Sequence, residues 1–161
     1  MAAMDRALRK EVLRKLHYGV YVVTAREGED YSGALITWLS QASLEPPLVM
    51  MALRKDSKVY ELLKHTGRAA VHILAEDQKN FAADFFKATR VEDGTMNGHP
   101  FRLEADLPIL TEVPWYFRIE AREWAEGGDH GVLVAEVVAV GKNAEAERSL
   151  CLRDTGWSYG G

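Results

Sequence analysis

Residues 31–53 read YSGALITWLSQASLEPPLVMMAL. Tyr31 to Ser40 is rich in β-favouring residues and reads as one strand. It returns from an earlier strand, Tyr18 to Ala25, through the turn Glu27-Gly28-Glu29-Asp30. Glu45-Pro46-Pro47 then stops the chain, because a proline has no N–H to give to a ladder. Leu48 to Leu53 is an unbroken apolar run, the pattern of a strand buried on both faces.

The pattern continues outward from this stretch. Asp5 is placed to cap a helix to about Leu16, with Leu8, Val12 and Leu16 as a narrow apolar stripe. A helix covering one end of a barrel is expected. Ser57 caps a second helix that buries Val59, Leu62 and Leu63 and stops at Gly67. Ala69 to Ala75 reads as a buried strand, Asp77 to about Lys87 as a third helix, and Thr89 to Pro100 as a polar loop. Pro108 and Pro114 bracket a short connection. Trp115 to Trp124 alternates, with Trp115, Phe117, Ile119 and Ala121 on one face. Gly127-Gly128-Asp129 turns into a last long strand, His130 to Val140.

These strands are joined mostly as hairpins, and the helices do not alternate with them. A doubly wound parallel sheet requires that alternation. The expected fold is therefore mainly β with flanking helices, an antiparallel barrel closed or partly closed, in a single domain over residues 1–161.

Composition narrows the function. The chain is 47% hydrophobic and 27% charged, with formal net charge −4. Such a balance has no general attraction for nucleic acid. No apolar run approaches the roughly 20 residues of a membrane span. Cys151 is the single cysteine, so no internal disulfide forms, which fits a reducing cytoplasm. No Gly-x-Gly-x-x-Gly or Gly-x-Ser-x-Gly occurs, and the five histidines have no metal-ligand spacing. No metal site and no catalytic dyad is expected. His72 lies in an apolar run and reads as a hydrogen-bonded core or edge residue.

Three segments remain. They are Thr37-Trp38-Leu39-Ser40 with Ser43-Leu44-Glu45-Pro46-Pro47-Leu48, then Arg54-Lys55-Asp56-Ser57, then Gly128-Asp129-His130-Gly131. In this order they resemble the flavin reductase-like, FMN-binding split-barrel family, including its flavoredoxin-like members. The likeness runs from about Leu16 to Val140 and is poor after Lys142. It implies an antiparallel split β-barrel and a homodimer. It implies FMN as cofactor and NADH or NADPH as hydride donor, with an electron-acceptor protein as a further possible partner. It carries phosphate binding to Ser40, Arg54, Lys55 and Ser57, and ring-edge contacts to the backbone of Thr37, Trp38 and Leu39. His130 falls near the flavin and the incoming nicotinamide. Trp38 departs from the smaller residue usual in the family.

A helix start beside a cationic strand end suits a phosphate. Hydride transfer from nicotinamide to flavin needs aligned rings rather than a protein acid or base. Each residue alone also has a reading without a ligand. Thr37 and Ser40 fit an edge strand, Arg54-Lys55 a solvated turn, Ser57 an N-cap, and His130 a turn histidine paired with Asp129. Phe81 and Phe85 read as helix core rather than as a wall of the flavin. The functional alternatives are an FMN electron carrier reduced by another protein, and a pyridoxamine-phosphate oxidase-like barrel.

Overall fold

The computed structural model describes residues 2–161. Strand β1 (Tyr21–Glu27) and β2 (Asp30–Ile36) form the expected hairpin. The expected Tyr31–Ser40 strand does not persist. It breaks at Thr37-Trp38, and β3 (Leu39–Ser43) begins a different edge. With β4 (Leu48–Arg54), β5 (Arg68–Ile73), β10 (Trp115–Ala125) and β11 (His130–Lys142), these make a seven-stranded antiparallel sheet. Its order is β2-β1-β5-β10-β11-β4-β3. The two edge strands are thus consecutive in sequence, two residues apart. That short link forces the sheet to curl until its edges meet at one corner, leaving a split instead of a closed ladder.

The main core fills the curl. Val23, Met51, Leu53, Val71, Ile119 and Leu133 meet there with helix α2 (Lys58–Thr66). Ser57 caps α2 by accepting the Tyr60 N–H, and Gly67 ends it at φ 70, a conformation that strains any side chain. Leu48–Leu53 is not buried on both faces: Val49, Met51 and Leu53 point inward, while Met50 is 44% exposed. Nothing covers the outer side of β4 at Met50.

The region expected as a loop and a short connection carries a second sheet. Strands β6 (Val91–Glu92), β7 (Thr95–Met96), β8 (His99–Glu104) and β9 (Leu107–Leu110) form an antiparallel meander. Each connection is a two-residue turn with φ above zero at both residues: Asp93-Gly94, Asn97-Gly98 and Ala105-Asp106. Such turns match the twist of the strands they join. Leu107 and Ile109 of β9 cover Ala70 and Tyr116 on the outer face of the large sheet. His72 joins the layers. Its Nδ1 donates to the Val22 carbonyl at 2.9 Å, and its Nε2 accepts from the Leu110 N–H at 3.0 Å. The expected hydrogen-bonded core histidine is what stands there.

The helices differ from expectation in two places. Helix α1 (Arg6–Leu13) is capped by Asp5, but it buries no residue. Leu8 and Val12 are each 56% exposed, so the stripe faces solvent and covers no barrel end. The third helix shortens to α3 (Lys79–Ala83) followed by a 3-10 turn, Asp84–Phe86. Among the described residues, no helix is long and apolar enough to cross a membrane.

Candidate flavin site at the split

The curl places the three sequence motifs side by side. Trp38 follows the end of β2, and its carbonyl accepts from the Ala52 N–H of β4 at 3.0 Å. Arg54 ends β4 directly across from His130, the first residue of β11. The Lys55 N–H binds the Asp129 carbonyl at 3.1 Å, which ties the two turns together.

A cavity of about 590 Å³ opens at this corner. That lies within the ~300–1,000 Å³ typical of small-ligand sites. Its floor is Ala34–Trp38 and its side is Ala52–Arg54 with Ser57 and Val59. Phe86 and the segment Gly156–Tyr159 complete it, and no carboxylate lines it. At one end the Arg54 guanidinium is held by Asp56 through Nε and Nη2, at 3.0 and 2.7 Å. The bond from Arg54 keeps the Asp56 carboxyl below its ordinary range. Two of Arg54's five N–H groups are used this way, and the rest remain available to an anion.

Ser57 Oγ is already committed, donating to the Arg54 carbonyl at 2.7 Å and accepting from Tyr60. Its contribution to an anion is the start of α2, where the first backbone N–H groups lack intrahelical partners. Trp38 supplies a second donor. Its indole Nε1 is buried without a hydrogen-bond partner in the protein. An indole N–H can only donate, so an acceptor on a bound molecule would satisfy it.

The expected site residues therefore divide. Thr37, Trp38, Arg54 and Ser57 line the cavity. Lys55 does not: its ammonium turns to the Glu126 carbonyl at 2.7 Å, in a groove along α2. Adjacent strand-end residues point to opposite sides, so Arg54 and Lys55 do not share one cradle. Ser40 pairs with Met50, four residues along β4 from Arg54, about 13 Å at strand rise. Ser40 and Leu39 instead line a shallower depression with Met50 and Val132. Phe81 and Phe85 are core, as expected.

His130 borders the site through other residues. Its Nδ1 faces Asp129 at 2.7 Å and its Nε2 faces the Tyr159 hydroxyl at 2.7 Å. That bond from His130 holds the Asp129 carboxyl below its usual range. Burial raises the Tyr159 phenol above its own, so it stays a donor. The Trp38 ring lies 4.6 Å from His130 and 5.0 Å from Tyr159, centroid to centroid.

Three aromatic residues lining the cavity were not foreseen from sequence: Phe86, Trp157 and Tyr159. Phe86 is 61% exposed and meets Trp157 edge-on at 4.7 Å. Their signal was aromatics in irregular chain, Trp157-Ser158-Tyr159 between two glycines. Segment 149–152 reaches this place by pairing with Gly19, Val20 and Ala75.

Residues 13–157 match the profile of the family described as flavin reductase like domain. The chain belongs to that family. It is 37% identical over 125 residues to the NADH-dependent flavin reductase StyB of Pseudomonas fluorescens, covering 76% of this chain and 71% of that protein. It is 29% identical over 133 residues to an NADH:FMN oxidoreductase of Rhodococcus erythropolis, covering 81% and 68%. The solved styrene monooxygenase flavin reductase of Pseudomonas putida aligns with TM-score 0.70 and 32% identity, covering 84% of this chain and 86% of that one. Other relatives are longer, and this chain spans only 21 to 39% of them. The flavin reductase-like fold thus accounts for the antiparallel split sheet.

Proposed function

We infer that this flavin reductase-like protein binds FMN at the split of the barrel and reduces it with a nicotinamide dinucleotide. The observation that carries this is the carboxylate-free cavity lined by Arg54, the start of α2, Phe86 and Trp157, and by Trp38, whose buried N–H has no partner among the described residues. Those features fit a dianionic tail, a flat ring and an acceptor-bearing ring edge in turn. Bound flavin supplies the two-electron acceptor for hydride. The chain's own residues hold and orient it: Arg54 and the α2 amides at the phosphate, Thr37 and Trp38 along the ring edge, Trp157 and Tyr159 against water. The relatives named as NADH enzymes support NADH as the donor.

The test is the visible spectrum of purified protein loaded with FMN, followed anaerobically as NADH or NADPH is added. Rapid bleaching is expected. A flavin that stays oxidised would replace the reductase by a carrier reduced by another protein.

A second copy of the chain is the expected partner. Met50 of β4 and Val132 of β11 are both exposed on the outer face of adjacent strands and border the same depression. Contiguous exposed apolar surface of this kind marks an interface. The styrene monooxygenase relative further supports delivery of reduced flavin to an oxygenase.

A further inference from the structure

The walls of the flavin cavity are not equally firm. The floor and side belong to β2, β4 and α2, which are woven into the main core. The outer wall is Gly156–Tyr159, a stretch without helix or strand. Gly156 and Gly160 bracket it at φ 80 and 79, values that only glycine adopts without strain. No strand pairing holds it. Tyr159 binds His130 and meets Trp38 edge-on, and Arg14 Nε donates to the Gly160 carbonyl at 3.0 Å. The Trp157 N–H binds Thr155 Oγ1 at 3.0 Å, and Trp157 leans on Phe86 and on the core around Leu74 and Leu152.

Tyr159 is where the local cavities meet. It lines the flavin cavity, a neighbouring cleft of about 530 Å³ and an open depression of about 700 Å³. The 530 Å³ cleft carries Arg14, Lys15 and Arg153 and no carboxylate, so it favours an anionic approach. Hydride transfer requires the nicotinamide ring to lie against the flavin ring, with reacting atoms about 3–3.5 Å apart. Core strands and α2 close the inner side, and Gly156–Tyr159 forms a wall of the open cavity facing them. Tyr159 is an aromatic ring with a hydrogen-bonding group, standing in that wall on His130 Nε2. A nicotinamide has the same character: a flat ring carrying a carboxamide.

We propose that Tyr159 is a place-holder for the nicotinamide, occupying its position beside Trp38 and His130 until the dinucleotide displaces it. Tyr159 thereby determines how tightly the reduced dinucleotide binds, and His130 Nε2 passes from phenol to carboxamide. Tyr159 and its two following glycines lie beyond the residues matched to the family profile. This inference rests on the flavin reductase reading and is tested separately from it.

The FMN-loaded protein, Tyr159→Phe and Tyr159→Ala are compared in three measurements. These are FMN affinity by fluorescence quenching, half-saturating NADH in anaerobic stopped-flow reduction, and amide exchange of residues 156–161 on adding oxidised dinucleotide. The expected result is a half-saturating NADH concentration about five-fold lower in Tyr159→Phe, from the lost hydrogen bond, and lower still in Tyr159→Ala. Exchange at 156–161 should rise in the unsubstituted protein when dinucleotide binds. Weaker NADH binding in both variants, or slower exchange on binding, would make Tyr159 a contact of the dinucleotide and overturn the proposal. Loss of FMN affinity would make it part of the flavin's own wall, with the same consequence. Unsubstituted protein that takes up no FMN would fail the underlying reading instead.

Discussion

Arg54 brings a cationic side chain to the cavity. Its guanidinium is fixed by Asp56 and faces a cavity with no acidic lining. Arg54→Ala is expected to weaken FMN binding by about ten- to a hundred-fold, since charge-assisted bonds to phosphate are the stronger kind. Fluorescence titration measures this, and unchanged affinity would remove Arg54 from the phosphate end. His72 makes a prediction of the opposite kind, about stability. Burial lowers its pKa to about 4 from an ordinary 6.5. The unfolded chain therefore takes up this proton before the folded one does. Stability contributed by neutral His72 is complete above about pH 6.5 and is lost as pH falls toward 4, by roughly 3 kcal/mol in all. Denaturant midpoints between pH 7 and 4.5 should fall more steeply for the native chain than for His72→Gln. Arg54 and His130 were singled out because their motifs resemble those of the family, and the structure sets them directly across from each other at two strand ends. Which of Arg54 and Lys55, or of Phe85 and Phe86, lines the cavity was not legible. Neighbouring residues point opposite ways, and only the packed structure sets the phase.

Helix α2 was the most legible element, because its cap, its buried triplet and its stop are all local. Gly67→Ala forces a side chain into φ 70 and should destabilise the fold by about 1 kcal/mol without altering FMN affinity. Thermal and denaturant unfolding of the flavin-free protein would show it. The break at Thr37-Trp38 was illegible for the converse reason. Ile36-Thr37-Trp38 has good strand propensity, and the chain leaves one edge for another there only because the sheet curls. The second sheet was legible and overlooked. Asp93-Gly94 and Asn97-Gly98 are strong hairpin signals, but the strands they join are two to six residues long and show no period. The apolar stripe of α1 was read correctly as a stripe, yet periodicity says nothing of what covers it.

For the whole molecule, hairpin order and the absence of strict helix alternation were enough to reach an antiparallel barrel, closed or partly closed, and the family resemblance supplied the split. They did not reveal that chain near residue 157 returns to the split, because that return depends on bridges to Gly19 and Ala75 far away in sequence. Exposed Val132 of β11 carries the prediction at this scale. Val132→Lys places a charge on the outer face beside Met50 and should shift the sedimenting species from dimer toward monomer. A native chain that sediments as a monomer at micromolar concentration would dismiss the second copy.

The two-residue link between β2 and β3 does two jobs at once. Thr37-Trp38 latches the seam of the curled sheet and also lines the cavity proposed to take the flavin's ring edge. A cofactor filling that cavity would fasten the latch, acting as a rivet through both margins of the sheet. Backbone amides of β2 and β3, distant across the ladder order, should slow in exchange together when FMN is added, and the melting temperature should climb with FMN concentration.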